Sequence, residues 1–249
     1  MTNESEGNKC TSEIISIAHL DPSGKFLMSR EVSKKLNVSV GDELLFILDK
    51  NGYINVRRHP SPLKEGEKYL DSTTIHSPPI EHMHPKHPRR KKEMRSRIPV
   101  YLAKALNLGE DRSILWIVDS RKNVIIKNTF IFLNNIHSMI ISLGTITVKE
   151  DVDITTIPNE IIDILDVNIN DIIVFILDEH NNIVIKRAAI KTPQGLLGSS
   201  TIYDNYEIII NDNIGKKLNI MANRDILWAI DENGNIIIGP TCINLSENK

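Results

Sequence analysis

A thirty-residue pattern repeated four times constrains this chain more than its composition does, because a unit so short cannot hold a core of its own. Residues 29–58 align without gaps on 99–128, 158–187 and 211–240. That register puts Phe46 over Trp116, Phe175 and Trp228, and Asp49 over Asp119, Asp178 and Asp231. Copies one and three share Phe-Ile-Leu-Asp at 46–49 and 175–178, whereas copies two and four share Arg-x-Ile-Leu-Trp at 112–116 and 224–228. The alternation implies that a two-copy segment was duplicated whole.

Each copy reads alike in physical terms. A short apolar strand leads to Ser29, Pro99, Pro158 or Asn211, all residues that start helices well, and about two helical turns follow, ending near Leu36 and its equivalents. A β-rich run, a turn and a second alternating strand complete the unit. Asn51-Gly52 and Asn233-Gly234 predict tight type I′ turns, which need positive φ at both central residues. The nearly continuous apolar runs ILWIVD and FILDE predict strands buried on both faces, with Phe46, Trp116, Phe175 and Trp228 as core side chains rather than base-stacking platforms. About 45 residues per copy are too few to stand alone, so copy one shares a core with two, and three with four. The expected organisation is a disordered 1–11, a first pair over 12–128 (copies 12–58 and 70–128), a linker at 129–139, and a second pair over 140–240 (copies 140–187 and 199–240).

Net charge is only −2, but it is unevenly spread. Between Lys86 and Arg97 seven Lys and Arg face Glu93 alone, a local +6. From Asp151 to Ile185 there are eight carboxylates and no Lys or Arg, a stretch that repels a phosphate backbone. No run approaches the roughly eighteen apolar residues a membrane span needs, and the polar N-terminus carries no leader-like apolar segment, so a soluble protein without membrane contact is expected. Cys10 and Cys242 form neither a disulfide framework nor a metal pattern, which points to a reducing, cytoplasmic setting.

These copies resemble the AbrB/SpoVT family, whose pattern is a strand, G-R-[IV]-x-I-P, a short helix ending L-G-I, then a G-D-x-[IV] strand and hairpin. Copy one has Gly24-Lys25-Phe26-Leu27-Met28-Ser29, Lys35-Leu36-Asn37-Val38 and Gly41-Asp42; copy two has Arg97-Ile98-Pro99 and Leu106-Asn107-Leu108-Gly109. Copy three has Thr156-Ile157-Pro158, Leu165-Asp166-Val167 and Asn170-Asp171-Ile172, and copy four keeps the shape with little of the motif. The resemblance implies a mainly β fold with short helices: two swapped-hairpin β-barrels, each a pseudo-dimer of two tandem repeats. It also implies double-stranded DNA as partner, contacted by basic residues around the first hairpin loop and the hinge helix. The Arg of the G-R motif is represented by Lys25 and Arg95, but by Ile154 and Glu207 in copies three and four. The helix cations Arg30, Lys34 and Lys35 of copy one give way to Asn159, Asp163 and Ile164 in copy three, while copy four is mixed, with Asp212 but also Lys216 and Lys217.

Copy two inserts the Pro-, His-, Lys- and Arg-rich segment 77–93 in the loop that the family points at DNA. The resulting expectation is a DNA-binding regulator or chromatin-type protein. Lys25, Arg30, Lys34, Arg95 and Arg97 position the first barrel, Arg89, Arg90, Lys91 and Lys92 form an accessory arm, and the second barrel serves assembly as a homo-oligomer or with a protein partner. A protein-interaction scaffold without DNA is the alternative. The histidines His76, His82, His84 and His87 on a Pro-rich loop lack the preorganisation of a metal site, so no metal or cofactor is expected. No nucleophile, phosphate-loop or metalloprotease motif is present, so no enzyme is expected. An antitoxin is disfavoured, since only about ten residues follow the last strand and no long toxin-wrapping tail is seen.

Overall fold

The computed structural model describes residues 12–77, 94–108, 112–134, 136–149, 151–189, 191, 193–218 and 225–243. The chain divides into two compact units, Met1–Thr129 and Phe130–Lys249, and strands predominate in both. In unit 1, copy one supplies β1 (Ser12–His19), β2 (Lys25–Met28), α1 (Arg30–Leu36), β3 (Glu43–Leu48) and β4 (Ile54–Arg58). Copy two supplies β5 (Lys68–Thr74), β6 (Met94–Arg97), α2 (Val100–Ala105), β7 (Ser113–Asp119) and β8 (Val124–Asn128). Unit 2 repeats the order after an added strand β9 (Phe130–Leu133), with β10 (Ile136–Thr145), β11 (Thr147–Lys149), β12 (Val152–Thr156), α3 (Asn159–Leu165), β13 (Ile172–Leu177) and β14 (Ile183–Arg187) from copy three. Copy four then gives β15 (Leu196–Thr201), β16 (Glu207–Ile210), α4 (Asp212–Lys217), β17 (Asp225–Asp231) and β18 (Ile236–Pro240).

The two copies of a unit exchange strands. Within copy one, β3 pairs with β4, but β1 pairs with β7 of copy two and β5 of copy two pairs with β3 of copy one; β2 meets β6 and β4 meets β8. Unit 2 makes the same exchanges, β10 with β17, β15 with β13, β12 with β16 and β14 with β18. The main sheet of unit 1 therefore runs β1-β7-β8-β4-β3-β5 and that of unit 2 β15-β13-β14-β18-β17-β10-β9, and among the described residues neither closes into a barrel.

Burial explains the exchange. Phe46, Trp116, Phe175 and Trp228 are fully enclosed, and every residue from Ser113 to Val118 of β7 is buried, so this strand has no solvent face. Each core draws on both copies: Val32, Phe46 and Val56 join Leu102, Trp116 and Ile126 in unit 1. Register breaks fall at matching places. Ile15 bulges from β1 and Ile141 from β10, while Leu70 bulges from β5 and Leu197 from β15, and all four side chains pack on their core. A bulge re-aims the extra residue, here inward.

One turn is used four times. The carboxylate of Asp49 accepts from the backbone N–H of Asn51 (2.8 Å) and Tyr53 (3.0 Å), and Asp119, Asp178 and Asp231 accept likewise from the residues two and four positions on. Its second oxygen takes a side-chain N–H from Asn55, Asn123, Asn182 or Asn235. The turns differ from the type I′ expectation. Gly52 (φ 85°) and Gly234 (φ 80°) are left-handed but Asn51 and Asn233 are not, so the loops hold three residues and end on the left-handed one. Lys122 and Asn181 take that position in the other two copies.

Two further expectations change. Residues 129–139 are not a linker but carry β9 and the start of β10, paired through Leu133↔Ile136 and Phe132↔His137. Cys242 is disulfide-bonded rather than a free thiol, so the cysteine argument for a reducing compartment falls. No helix among the described residues is long and apolar enough to cross a membrane.

Candidate nucleic-acid interface

The short pair β2/β6 brings together three of the cations singled out from sequence. Its register places Lys25 opposite Arg97 and Leu27 opposite Arg95. Alternation along a strand sends successive side chains to opposite faces: Phe26, Met28 and Ser96 are buried, and Lys25, Leu27, Arg95 and Arg97 are exposed. Close approach of the two copies depends on Gly24. A Cβ there would lie 2.7 Å from the Ile98 carbonyl, and φ is 78°, so only glycine fits where the Ile98 N–H donates to the Gly24 carbonyl (2.9 Å).

The two approaches to this ribbon are built differently. Before β2, the Asp21 carboxylate accepts from Ser23 N–H (2.8 Å), Ser23 Oγ (2.7 Å) and Lys25 N–H (2.9 Å). The Ser23 hydroxyl above all, with these backbone donors, holds the Asp21 carboxyl below its ordinary value. Arg112 pins the same turn through the Pro22 carbonyl (2.8 Å). Before β6 the corresponding place is taken by His76, which exchanges both backbone hydrogen bonds with Arg95 at 2.8 Å, as Asp21 N–H donates to Lys25. A concavity of about 510 Å³ opens here, lined by Asp21, Lys25, His76, Arg95 and Arg97 with nearby hydroxyls including Ser96. A donor-rich hollow of this kind can hold phosphate oxygens.

Arg30 and Lys34 lie exposed on α1, which follows β2 directly and is capped by Ser29 Oγ accepting from Val32 N–H (3.2 Å). Arg89, Arg90, Lys91 and Lys92, with His82, His84 and His87, lie outside the described residues. Sequence reasoning did not assign Asp21 or Leu27 to this site and weighed His76 only as a metal ligand. Leu27 was signalled by its two-residue spacing from Lys25, and Asp21 by the Asp-Pro-Ser-Gly turn.

Unit 2 shows the same ribbon without the three cations. Its register puts Ile154 opposite Ile209 and Thr156 opposite Glu207, so the positions of Lys25, Leu27, Arg95 and Arg97 are held by Ile154, Thr156, Glu207 and Ile209. The extra strand β11 pairs with β12 and brings Lys149 Nζ to Glu207 at 2.6 and 2.8 Å. Compared with known proteins, the chain matches no family model, no curated protein and no solved structure.

Proposed function

We propose that unit 1 binds double-stranded DNA through the outer face of β2/β6, and that each unit is a covalent form of the swapped-hairpin AbrB/SpoVT barrel domain. The exchanged pairings support the second statement, since two chains of that family interdigitate as the two copies do here. One observation carries the first: at a single register of one shared scaffold, unit 1 presents Lys25, Arg95 and Arg97 where unit 2 presents Ile154, Glu207 and Ile209. Scaffold needs alone do not call for three exposed cations. Arg30 and Lys34 extend the positive face along α1, and Arg89, Arg90, Lys91 and Lys92 precede β6 in sequence as an accessory arm. Lys and Arg on phosphates release condensed counterions, so binding falls steeply with salt. The role is that of a transcription regulator or chromatin-type protein.

Anisotropy of a labelled duplex with the full chain between about 50 and 200 mM KCl tests this reading, with a steep linear fall of log affinity against log salt expected. Salt-independent or absent binding overturns it in favour of a protein-interaction scaffold. A specific observation favours protein contacts for unit 2: Ile164 (45% exposed), Ile172 (49%) and Tyr203 (48%) stand where unit 1 has Lys35, Glu43 and His76. We assign assembly, with a second copy or a protein partner, to that unit.

A further inference from the structure

Two identical chains make a two-fold symmetric surface, and such surfaces read palindromic DNA because operator symmetry mirrors protein symmetry. The β2/β6 ribbon has the same backbone exchange without the identity. From the DNA reading of unit 1 we infer that its preferred target is a directional, non-palindromic duplex site, with a guanine-bearing half read by copy two and a chemically different half under copy one.

The inference comes from matched positions across the ribbon. Lys25 of copy one corresponds to Arg95 of copy two, and Leu27 to Arg97. Arginine offers a planar fork that grips guanine O6 and N7 together, whereas lysine is a point charge and leucine offers only apolar contact. Asp21 and His76 are likewise equivalent, each hydrogen-bonded through its backbone to its partner four residues before the helix cap, Lys25 or Arg95. One half therefore carries a carboxylate beside its cation and the other an imidazole, within the same concavity. The carboxylate repels phosphate oxygens and accepts from the cytosine amino group; the imidazole carries no negative charge to repel them. The helices diverge as well, α1 exposing Arg30, Lys34 and Lys35 and α2 exposing Val100 (69%), Tyr101 (45%) and a single cation, Lys104. Lys34 is matched by Lys104, but on the ribbon the halves differ at Asp21 against His76, Lys25 against Arg95 and Leu27 against Arg97, so a palindrome fits at most one half.

Selection from a random duplex library with the full chain tests this, followed by footprinting of the enriched site. The expected result is a consensus without two-fold symmetry, with guanine enriched in one half. Two symmetrised versions, each half joined to its own inverted copy, should bind about tenfold or more weakly, as a mismatched base pair within a site does. The double substitution Lys25→Arg with Leu27→Arg, at two exposed positions, gives both halves paired arginines and should shift selection towards a symmetric, guanine-bearing site. A palindromic consensus, symmetrised sites that bind as well as the original, or an unshifted consensus for the double variant overturns the inference. Salt-dependent binding with no sequence enrichment overturns it too while leaving the DNA reading intact, and absence of any DNA binding removes both.

Discussion

The two units share one strand plan and one core logic, yet they differ where the plan leaves residues free. Inside, unit 1 packs Phe26 on Trp116 with ring centroids 5.6 Å apart, and Ala18 lies opposite Ile114 on β7. In unit 2 Thr155 replaces Phe26 and Gly144 replaces Ala18, and both Trp228 Nε1 and Thr155 Oγ1 are buried without a hydrogen-bond partner. Outside, three cations become two isoleucines and a paired glutamate. The comparison separates what the fold requires, which both units keep, from what one unit uses.

The largest expected effect comes from turning one face into the other. The triple variant Lys25→Ile, Arg95→Glu, Arg97→Ile should lower duplex affinity about 100-fold or more and flatten the salt slope by about 2.7, three phosphate contacts at about 0.9 each. It should unfold at an unchanged denaturant midpoint, because all three residues are exposed. Unchanged affinity would refute the division between the units.

The cores give the next largest difference. Gly144→Ala should destabilise by about 2 kcal/mol in denaturant unfolding, since a Cβ there would sit 2.8 Å from Trp228 Nε1, although alanine is native at the matching position of unit 1. Thr155→Val should stabilise by about 1 kcal/mol by removing a buried hydroxyl that has no partner.

Unit 1 also has an ion pair with no counterpart among the described residues of unit 2, where Gln194 stands at the position of Glu67 and Lys186 at that of Arg57. Arg57 grips Glu67 through both nitrogens, one at 2.9 Å, with the two side chains only 16% and 8% exposed, and it lowers the Glu67 carboxyl from its ordinary value of 4.5. A lowered folded pKa stabilises above the unfolded value and is lost as pH falls through the folded one. Glu67→Gln should therefore cost about 2 kcal/mol at neutral pH, and its gap from the parent should close as pH drops below 4.5. A gap that persists in acid means that packing, not charge, holds this loop. The smallest effect belongs to the exposed Lys149–Glu207 pair of unit 2, where Lys149→Ala should change stability by less than about 0.5 kcal/mol.

Much of this was legible in the sequence because repeats impose a register. Four aligned copies located the four buried aromatics, the helix starts at Ser29 and Asn211, and the column that runs Lys25, Arg95, Ile154, Glu207. Pairing was less legible. The doublets Ile14-Ile15 and Ile140-Ile141 break the two-residue period, and only the partner strand shows that one isoleucine of each is a bulge. The turns were misjudged because Asn-Gly fits several left-handed loops, and the deciding group was the aspartate two residues earlier, whose carboxylate fixes the loop length. Residues 129–139 fall between the two repeat pairs and so read as a linker, whereas β9 and β10 pair across them, with Asn134 left-handed at φ 47°. The cation column was visible in sequence, but the lateral pairing of Lys25 with Arg97, rather than with Arg95, needed the antiparallel register.

The exchange of strands also sets a timetable for synthesis. Ser12–His19 finds its first partner in Ser113–Asp119, about 100 residues later, which at roughly 5–20 residues per second is a wait of some 5–20 s. During that interval β1 is a strand without a neighbour, the situation in which chains join one another edge to edge. Its correct partner has a near-duplicate, since β7 and β17 share Ile-Leu-Trp. On the ribosome β7 emerges first and the ambiguity is resolved by order of arrival. A chain refolded from denaturant is offered both strands at once, and should give more mispaired and aggregated material than the same chain made in a translation reaction.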